Sequence, residues 1–463
     1  MEAHDGKPLL SRDRSINKWN GRFVMKKSGK IENISWVSNH DLCTGCGTCI
    51  SLCPTNAICL SVDKEKGAYT PKVDELKCNH CGICLNICPG HEVDFNNMDH
   101  EIKEIRKDAL LIGKYLQCYI GYSTNEEIRY NCTSGGLITQ IIIDALENKI
   151  IDGALLTRMK RSNPLEPEAF IARTREDICS ARGSKYCPVP VNVGLKEILN
   201  APKGQKFAVV GLPCHIHGIK KAELLNKELR DKIIMHLGLF CSGPMTFNGI
   251  KFLIQKYNIR EDCIASLEYR CEGWPGHMKV KYKNGDKKLV PREEYGFFQS
   301  FGFFVSSRCT LCCDQLNELA DISFGDAWLP EINDCIGTSV VISRGTLGEN
   351  LLHEATLKRS IAIRKINAER ISHMGQKKAL FLLERRIANL RGHKTPSFNI
   401  YLPKIYSIPR YLLLYSIFIV PIIQLNMAFS SNSYLGRYIE FLALFERKMI
   451  RYGKWLVDLK RLK

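Results

Sequence analysis

Two short cysteine runs repeat one spacing. The first is Cys43-Thr-Gly-Cys46-Gly-Thr-Cys49-Ile-Ser-Leu-Cys53-Pro54, and the second is Cys78-Asn-His-Cys81-Gly-Ile-Cys84-Leu-Asn-Ile-Cys88-Pro89. In each, three thiols at every third position suit the corner of an iron–sulfur cube, and the fourth, in a helical turn, points away from it. The spacing therefore assigns Cys43, Cys46, Cys49 and Cys88 to one [4Fe–4S] cluster. It assigns Cys78, Cys81, Cys84 and Cys53 to a second. A pair of zinc knuckles would use two pairs of cysteines and leave the third thiol of each run without a role. Gly45, Gly47 and Gly82 stand beside the ligands, where the missing side chain lets backbone N–H groups approach cluster sulfurs. Cys59 lies outside the pattern and is expected to be a small buried residue. Two adjacent clusters conduct single electrons; they do no substrate chemistry of their own.

The repeated run is that of bacterial ferredoxins. A second set of cysteines is dispersed. Lys206-Phe-Ala-Val-Val-Gly-Leu-Pro-Cys214-His-Ile-His-Gly-Ile219 reads as an apolar strand, a turn and a helix start. Ile233-Ile-Met-His-Leu-Gly-Leu-Phe-Cys241-Ser-Gly-Pro244 reads as a strand that stops at a cysteine. If the two strands are parallel neighbours, both cysteines emerge at the carboxyl edge of a sheet, where α/β folds place ligands. Ser307-Arg-Cys309-Thr-Leu-Cys312-Cys313-Asp-Gln315 precedes a further strand, Ala320-Asp-Ile-Ser-Phe-Gly-Asp326. Cys214, Cys241, Cys309 and Cys312 then form a candidate third [4Fe–4S] site. Spacing alone leaves three alternatives open: inert buried cysteines, a redox dithiol at Cys309 and Cys312, or half a zinc site.

The chain has 463 residues, enough for two or more domains. Its 21 cysteines are too many for an ordinary chain, and the chain is too long for a disulfide-stapled secreted domain. The first thirty residues are polar and contain no apolar signal region, so reduced thiols and a cytoplasmic location are expected. The formal charge of +18 fits an acidic partner, an anionic cofactor or an anionic membrane face. No nucleic-acid-binding module or aromatic stacking pattern accompanies it, so nucleic acid is not an expected partner.

The elements that position these residues fall into segments. Residues 1–38 are polar with no clear element; 39–95 hold the dicluster repeat; 96–118, with charged residues 99–114, read as a linker helix. From 119 to 348, apolar runs alternate with helical patterns, which predicts an α/β core of mixed strands. Within it Val280–Leu289 alternates around Asn284-Gly285 and predicts a β-hairpin. Residues 349–400 read as a charged helical extension. The tail, 401–463, is apolar and then basic.

From about residue 117 to 330 the chain resembles the coenzyme F420 hydrogenase/dehydrogenase beta-subunit family. The matching words are Thr133-Ser-Gly-Gly136, Ile151-Asp-Gly-Ala-Leu, Gly183-Ser-Lys-Tyr186, Gly211-Leu-Pro-Cys214, Gly238-Leu-Phe-Cys241, and Cys309-x-x-Cys312 before Ala-Asp-Ile-Ser-x-Gly-Asp, in family order. The core then divides into an N-terminal family region, 119–200, and a C-terminal one, 201–348. The resemblance implies an FAD-binding core with its own [4Fe–4S] cluster, on Cys214, Cys241, Cys309 and Cys312. Cys313 departs from the family pattern as an extra thiol that could replace Cys312. For FAD, Ser134, Gly135 and Gly136 open a helix whose Leu137, Ile138, Ile141 and Ile142 form an apolar face, and bare N–H groups at a helix start suit a pyrophosphate. Gly183, Ser184, Lys185 and Tyr186 add a cation, a hydroxyl and an aromatic face. Without the resemblance, both segments read as a helix cap and a surface turn. No catalytic acid or base is assigned. His215 and His217 are expected to be structural or to support a ligand.

The expected fold is a multidomain α+β chain: a small ferredoxin-like dicluster domain, an α/β flavin-binding core and a helical C-terminal tail. The expected function is an iron–sulfur flavoprotein oxidoreductase that moves electrons between a hydride carrier such as coenzyme F420 and one-electron carriers. One alternative is a ferredoxin-dependent reductase of another small molecule, linked to cell-surface polysaccharide synthesis; another is a non-catalytic electron-transfer subunit. Partners would be an electron-carrier protein or a partner redox subunit, and a small-molecule hydride carrier or substrate. In the tail, Tyr411–Ile423 is apolar but broken by Pro421, shorter than the roughly twenty residues of a span. The basic, apolar end from Phe445 to Lys463 suits an interfacial helix at the inner face of the membrane, or helices packed on the protein.

Overall fold

The computed structural model describes residues 32–98, 111–300, 302–332, 334–375 and 377–400. The cysteine repeat builds the front segment. It comprises α1 (Ser35–Asn39), α2 (Thr48–Ser51), a hairpin of β1 (Ile58–Asp63) and β2 (Ala68–Val73), α3 (Ile83–Asn86) and β3 (Glu92–Asp94). Each cysteine helix starts from a left-handed glycine, Gly47 at φ 88° and Gly82 at φ 73°. A Cβ would be strained there, so the glycine two residues before the third cysteine of each run is a backbone requirement. Ile34, Val37, Leu42, Ile58 and Leu85 pack with Cys49, Cys84 and Cys88 into a small core. Two expectations fail locally. Residues 35–38 are helical, because Val37 has this core to fill. Cys59 is exposed on β1 rather than buried.

The centre of the molecule is one eight-stranded sheet. Its members are β4 (Gln117–Ser123), β5 (Gly153–Met159), β6 (Pro167–Ala172), β7 (Phe207–Gly211), β8 (Ile233–Leu239), β12 (Ile322–Asp326), β13 (Ser339–Ser343) and β14 (Ile361–Ile366). The spatial order is β14-β4-β13-β12-β8-β7-β5-β6. The four middle strands β12, β8, β7 and β5 are parallel, and the outer pairings are antiparallel. Apolar runs such as Phe207-Ala-Val-Val explain this placement, since a strand covered on both faces needs apolar residues on both. The expectation that the strands before Cys214 and Cys241 are parallel neighbours holds, with Val209 opposite His236.

Helices cover both faces. On one face α4 (Leu137–Glu147) buries Leu137, Ile141 and Ile142 against Ala208, Leu237 and Phe324; α5 (Arg175–Ser180) and α8 (Thr346–Leu357) add Ile178 and Leu352. On the other, Ile216 and Ile219 of α6 (Pro213–Leu225) pack with Phe207 and Val209, and Phe95 of the front segment joins the same cluster. Between β8 and β12 the chain inserts a three-stranded sheet of β9 (Ile264–Cys271), β10 (His277–Tyr282) and β11 (Lys287–Pro291). The expected hairpin is its β10–β11 pair, with Gly285 at φ 92° in the turn. A short helix, α7 (Ser307–Thr310), carries Cys309.

Of the expected linker helix 96–118, residues 96–98 belong to a short helix, Phe95–Met98, residues 111–114 form turns and a bend, and Gln117 and Cys118 begin β4; residues 99–110 lie outside the described residues. The region 349–400 is not purely helical. Ile361–Ile366 is an edge strand on β4: Ile361 buries its side chain in the main core while Arg364 and Lys365 lie on the open edge. It is followed by α9 (Lys377–Leu390) and β15 (Ser397–Asn399), which pairs in parallel with β3 of the front segment. Among the described residues no helix is long and apolar enough to cross a membrane. The readings of the tail, 401–463, fall outside those residues.

Candidate electron-transfer site

The two cysteine runs fold onto each other. The thiols of Cys46, Cys49 and Cys88 lie near Cys43, and Cys49 also neighbours Cys84; Cys84 in turn neighbours Cys81 and Cys78. Cys53 packs against the same small core. Of the three glycines beside the runs, Gly45 donates its N–H to Cys43 Sγ (3.3 Å); Ala57, not singled out by the pattern, donates to Cys53 Sγ (3.3 Å). Burial and the adjacent thiols push Cys43 up to about 12, and Cys84 and Cys88 up to about 11. Such packed thiols resist ionisation unless a cation shares them, which is the chemistry of a metal-cluster donor set.

The dispersed cysteines also converge. Cys214 is the second residue of α6, after β7; Cys241 follows β8; Cys309 lies in α7 and Cys312 just beyond it. All four line one cavity, and Cys43 of the front segment lines the same cavity. Cys214 is driven well above the thiol range by burial, then by Cys46, Cys241, Cys309 and Cys312. Gly243 N–H donates to Cys241 Sγ (3.4 Å). Cys313 is turned away from this group. It is 1% exposed and packs in the apolar cluster of Ile216, Leu319, Phe381 and Phe398. Four thiols around one cavity fit the donor set of a third cluster.

The front segment is joined to the core by buried polar contacts. Asn192 Nδ2 donates to Thr48 Oγ1 (2.8 Å) and to the His215 carbonyl (2.9 Å), and its backbone N–H donates to the Cys46 carbonyl (2.9 Å). A Cβ at Gly218 of α6 would stand 2.3 Å from Thr48 Oγ1, so the close approach of the two units needs glycine there. Arg308 donates to the Leu42 and Pro89 carbonyls, and Lys221 Nζ to the Cys88 carbonyl (3.0 Å).

His215 Nδ1 accepts from Leu212 N–H (3.1 Å) and caps α6, with burial lowering its pKa to about 4. His217 pairs with Asp314 (2.8 Å). Both histidines are thus committed to the fold, as expected.

The two segments expected at FAD meet: Ser184 N–H donates to Thr133 Oγ1 (2.7 Å). Gly136, at φ 73°, caps α4, whose first-turn N–H groups have no partner inside the helix. Gly135 is spoken for differently. Its N–H donates to Ser339 Oγ (2.9 Å), and a Cβ on it would strike the Gly121 carbonyl. Ser134 Oγ donates to the Thr338 carbonyl (2.7 Å). Lys185 Nζ donates to the carbonyls of Ala181, Arg182 and Gly183 behind α5, and burial lowers it to about 8. Gly183, at φ 81°, makes the turn, and Tyr186 Oη accepts from Arg270 Nη1 (3.3 Å). Arg270 also pairs with Asp326 at the end of β12. Its Nη2 and the nearby Trp274 Nε1 are buried without a hydrogen-bond partner, and Trp274 packs on Trp328 at 4.4 Å. Orphaned donors beside Gly183–Tyr186 fit an acceptor-rich group such as a flavin. Arg270, Trp274 and Trp328 were not singled out from the sequence, since nothing but the fold brings β9 and β12 to the 183–186 turn.

Comparison with known proteins follows the same division. Residues 24–91 match the 4Fe-4S dicluster domain. Residues 118–196 and 204–369 match the N-terminal and C-terminal regions of the coenzyme F420 hydrogenase/dehydrogenase beta subunit. The chain is 28% identical to the coenzyme F420 hydrogenase subunit beta of Methanosarcina barkeri, over 53% of this chain and 80% of that one. It is 28% identical to a subunit of the F(420)H(2) dehydrogenase of Methanosarcina mazei, over 68% of this chain and 83% of that one. It is 27% identical to the coenzyme F420-dependent sulfite reductase of Methanocaldococcus jannaschii, over 76% of this chain and 52% of that one. A solved structure of the F420-reducing [NiFe] hydrogenase complex from Methanosarcina barkeri aligns with a TM-score of 0.49 at 25% identity, covering 62% of this chain and 95% of that chain. The chain belongs to the coenzyme F420 hydrogenase/dehydrogenase beta-subunit family, as an iron–sulfur oxidoreductase with a 4Fe-4S dicluster domain in front.

Proposed function

We propose that this oxidoreductase exchanges electrons between a hydride carrier of the coenzyme F420 type and one-electron carriers, through FAD and three [4Fe–4S] clusters. The observation that carries the reading is the convergence of Cys214, Cys241, Cys309 and Cys312 on one cavity that Cys43 also lines. Flavin, when bound, exchanges electron pairs with a hydride donor and single electrons with a cluster. On this reading the regions 119–200 and 201–348 hold the flavin and the core cluster, and 39–95 holds the ferredoxin pair.

The residues divide the work. Cys214, Cys241, Cys309 and Cys312 hold the core cluster, with Cys313 left to packing. Cys43, Cys46, Cys49 and Cys88 hold the cluster beside it, and Cys78, Cys81, Cys84 and Cys53 hold the outer one. The first turn of α4, opened by Ser134, Gly135 and Gly136, receives the flavin phosphates, and Gly183, Ser184 and Tyr186 with Arg270 and Trp274 hold its polar face. Lys185 positions that turn through the carbonyls it binds. Asn192 and Gly218 keep the two cysteine sets close enough for electron transfer. Several relatives are named as subunits, and we extend that to this chain: a carrier protein or redox subunit meets the outer cluster.

Anaerobic purification with iron and flavin counts tests the reading. It requires about twelve irons and one flavin per chain, four irons per cluster. Eight irons without flavin would leave a bare electron carrier. Bleaching of the flavin by ferredoxin but not by reduced F420 would replace the hydride carrier with another substrate.

A further inference from the structure

Lys377 is the first residue of α9, a segment beyond the last residue matched to the family, 369. It lines the cavity shared by the core cysteines, and its Nζ donates to the Cys309 carbonyl (3.4 Å). Its ammonium lies within electrostatic reach of Cys312, Cys241, Cys309 and Cys214, the whole core set lining the same cavity. The neighbouring Lys378 is already committed to Glu318 (2.6 Å), so the two adjacent lysines have separate tasks. The fold takes trouble to bring Lys377 here. Its backbone N–H donates to Gln315 Oε1 (3.3 Å), Phe381 of the same helix packs on Phe398, and β15 then pairs with β3 of the front segment.

A cluster held by four thiolates carries net negative charge, which grows by one on reduction. A fixed cation beside it therefore favours the reduced form, and the start of α9 adds partial charge of the same sign. The arrangement is uneven along the chain of cysteines. Arg308 lies near Cys43 and Cys309, and Lys221 near Cys88, but both are tied into carbonyls that join the two units. Lys377 lines the cavity and lies within electrostatic reach of all four core thiols.

We propose that Lys377 raises the reduction potential of the core cluster, so that the segment following the family region sets the step between flavin and the ferredoxin pair. The proposal rests on the core cluster assigned under the proposed function. Lys377→Gln keeps a donor for the Cys309 carbonyl and removes the charge; Lys377→Arg keeps the charge. Each holoprotein is titrated anaerobically and followed by electron paramagnetic resonance, with the core signal defined as the one lost in Cys309→Ser. In Lys377→Gln the core signal should move to lower potential by about 59 mV or more, a tenfold loss in the one-electron equilibrium. The ferredoxin signals should hold, and Lys377→Arg should stay close to the parent. Loss of the core irons in Lys377→Gln but not in Lys377→Arg would also support a role for the charge. An unmoved core potential with full iron, an equal shift of all signals, or loss of core iron in both variants would overturn it. A parent protein with only eight irons would instead remove the core cluster itself, a failure that the iron count identifies separately.

Discussion

The front segment and the core gather cysteines in opposite ways. In the front segment three of each four thiols lie within one short run, and a left-handed glycine and one helical turn bring them together. In the core, Cys214, Cys241 and the Cys309–Cys312 pair come from two strand ends and a short helix, and reach one cavity only after β7 and β8 have paired. The first design depends on local backbone geometry, the second on long-range packing. The first should therefore survive damage to the sheet, and the second should not.

The largest effects come from breaking one set and leaving the other. Cys309→Ser should remove about four of twelve irons and spare the ferredoxin pair. Cys312→Ser should do the same, while Cys313→Ser should keep all irons, because Cys313 sits in the apolar cluster away from the cavity. Loss of every cluster in Cys309→Ser, by iron count and visible absorption, would mean that the two sets are not independent.

The junction between the sets offers the next test. Gly218→Leu places a side chain where Thr48 Oγ1 already lies 2.3 Å from the Cβ position. Overpacking of this kind costs about 1–3 kcal/mol. Thermal unfolding should record that loss, and stopped-flow reduction should show the ferredoxin signals lagging the core signal with iron content intact.

On the flavin side, Arg270→Lys keeps a charge near Asp326 but loses the guanidinium fork. Flavin affinity should fall by about 1.5–3 kcal/mol, the range for a hydrogen bond to a charged group. Fluorescence of released flavin would measure it, with iron content as the control.

The last effect leaves every cofactor in place near neutral pH and shows only in acid. His215 has its folded pKa lowered to about 4 by burial, below its ordinary value of 6.5. The unfolded chain then binds the proton more readily, so stability present above pH 6.5 is lost as pH falls toward 4, by up to about 3 kcal/mol. His215→Asn retains an acceptor for the Leu212 N–H and should flatten denaturant-unfolding stability across that window.

Much of this was readable before folding was considered. The repeat disclosed a 4Fe-4S dicluster domain because three of each four cysteines are local, and the β7–Cys214 and β8–Cys241 words disclosed strand ends because parallel strands need unbroken apolar runs. The Asn284-Gly285 hairpin was equally plain. Other readings failed where packing overrode local pattern. Ile361–Ile366, flanked by helices and rich in charge, became a strand because β4 offered it an open edge. At Gly135 packing adds a task that the sequence did not disclose: its N–H donates to Ser339 Oγ and its bare Cα permits close packing between β4 and β13.

By itself, then, the sequence determined that this protein gathers thiols for two iron–sulfur clusters, and that an α/β core carries further cysteines at strand ends. Those conclusions rest on spacings of two or three residues and on apolar runs, which act within one element. The tertiary structure alone decided which thiol stands beside Cys309, Cys312 in the cavity or Cys313 in the apolar cluster. It alone decided that Asn192 and Gly218 join the two units and that Lys377 lines the cavity of the core thiols. Those contacts link residues tens to hundreds of positions apart, and only the packing of the sheet against its helices sets such distances.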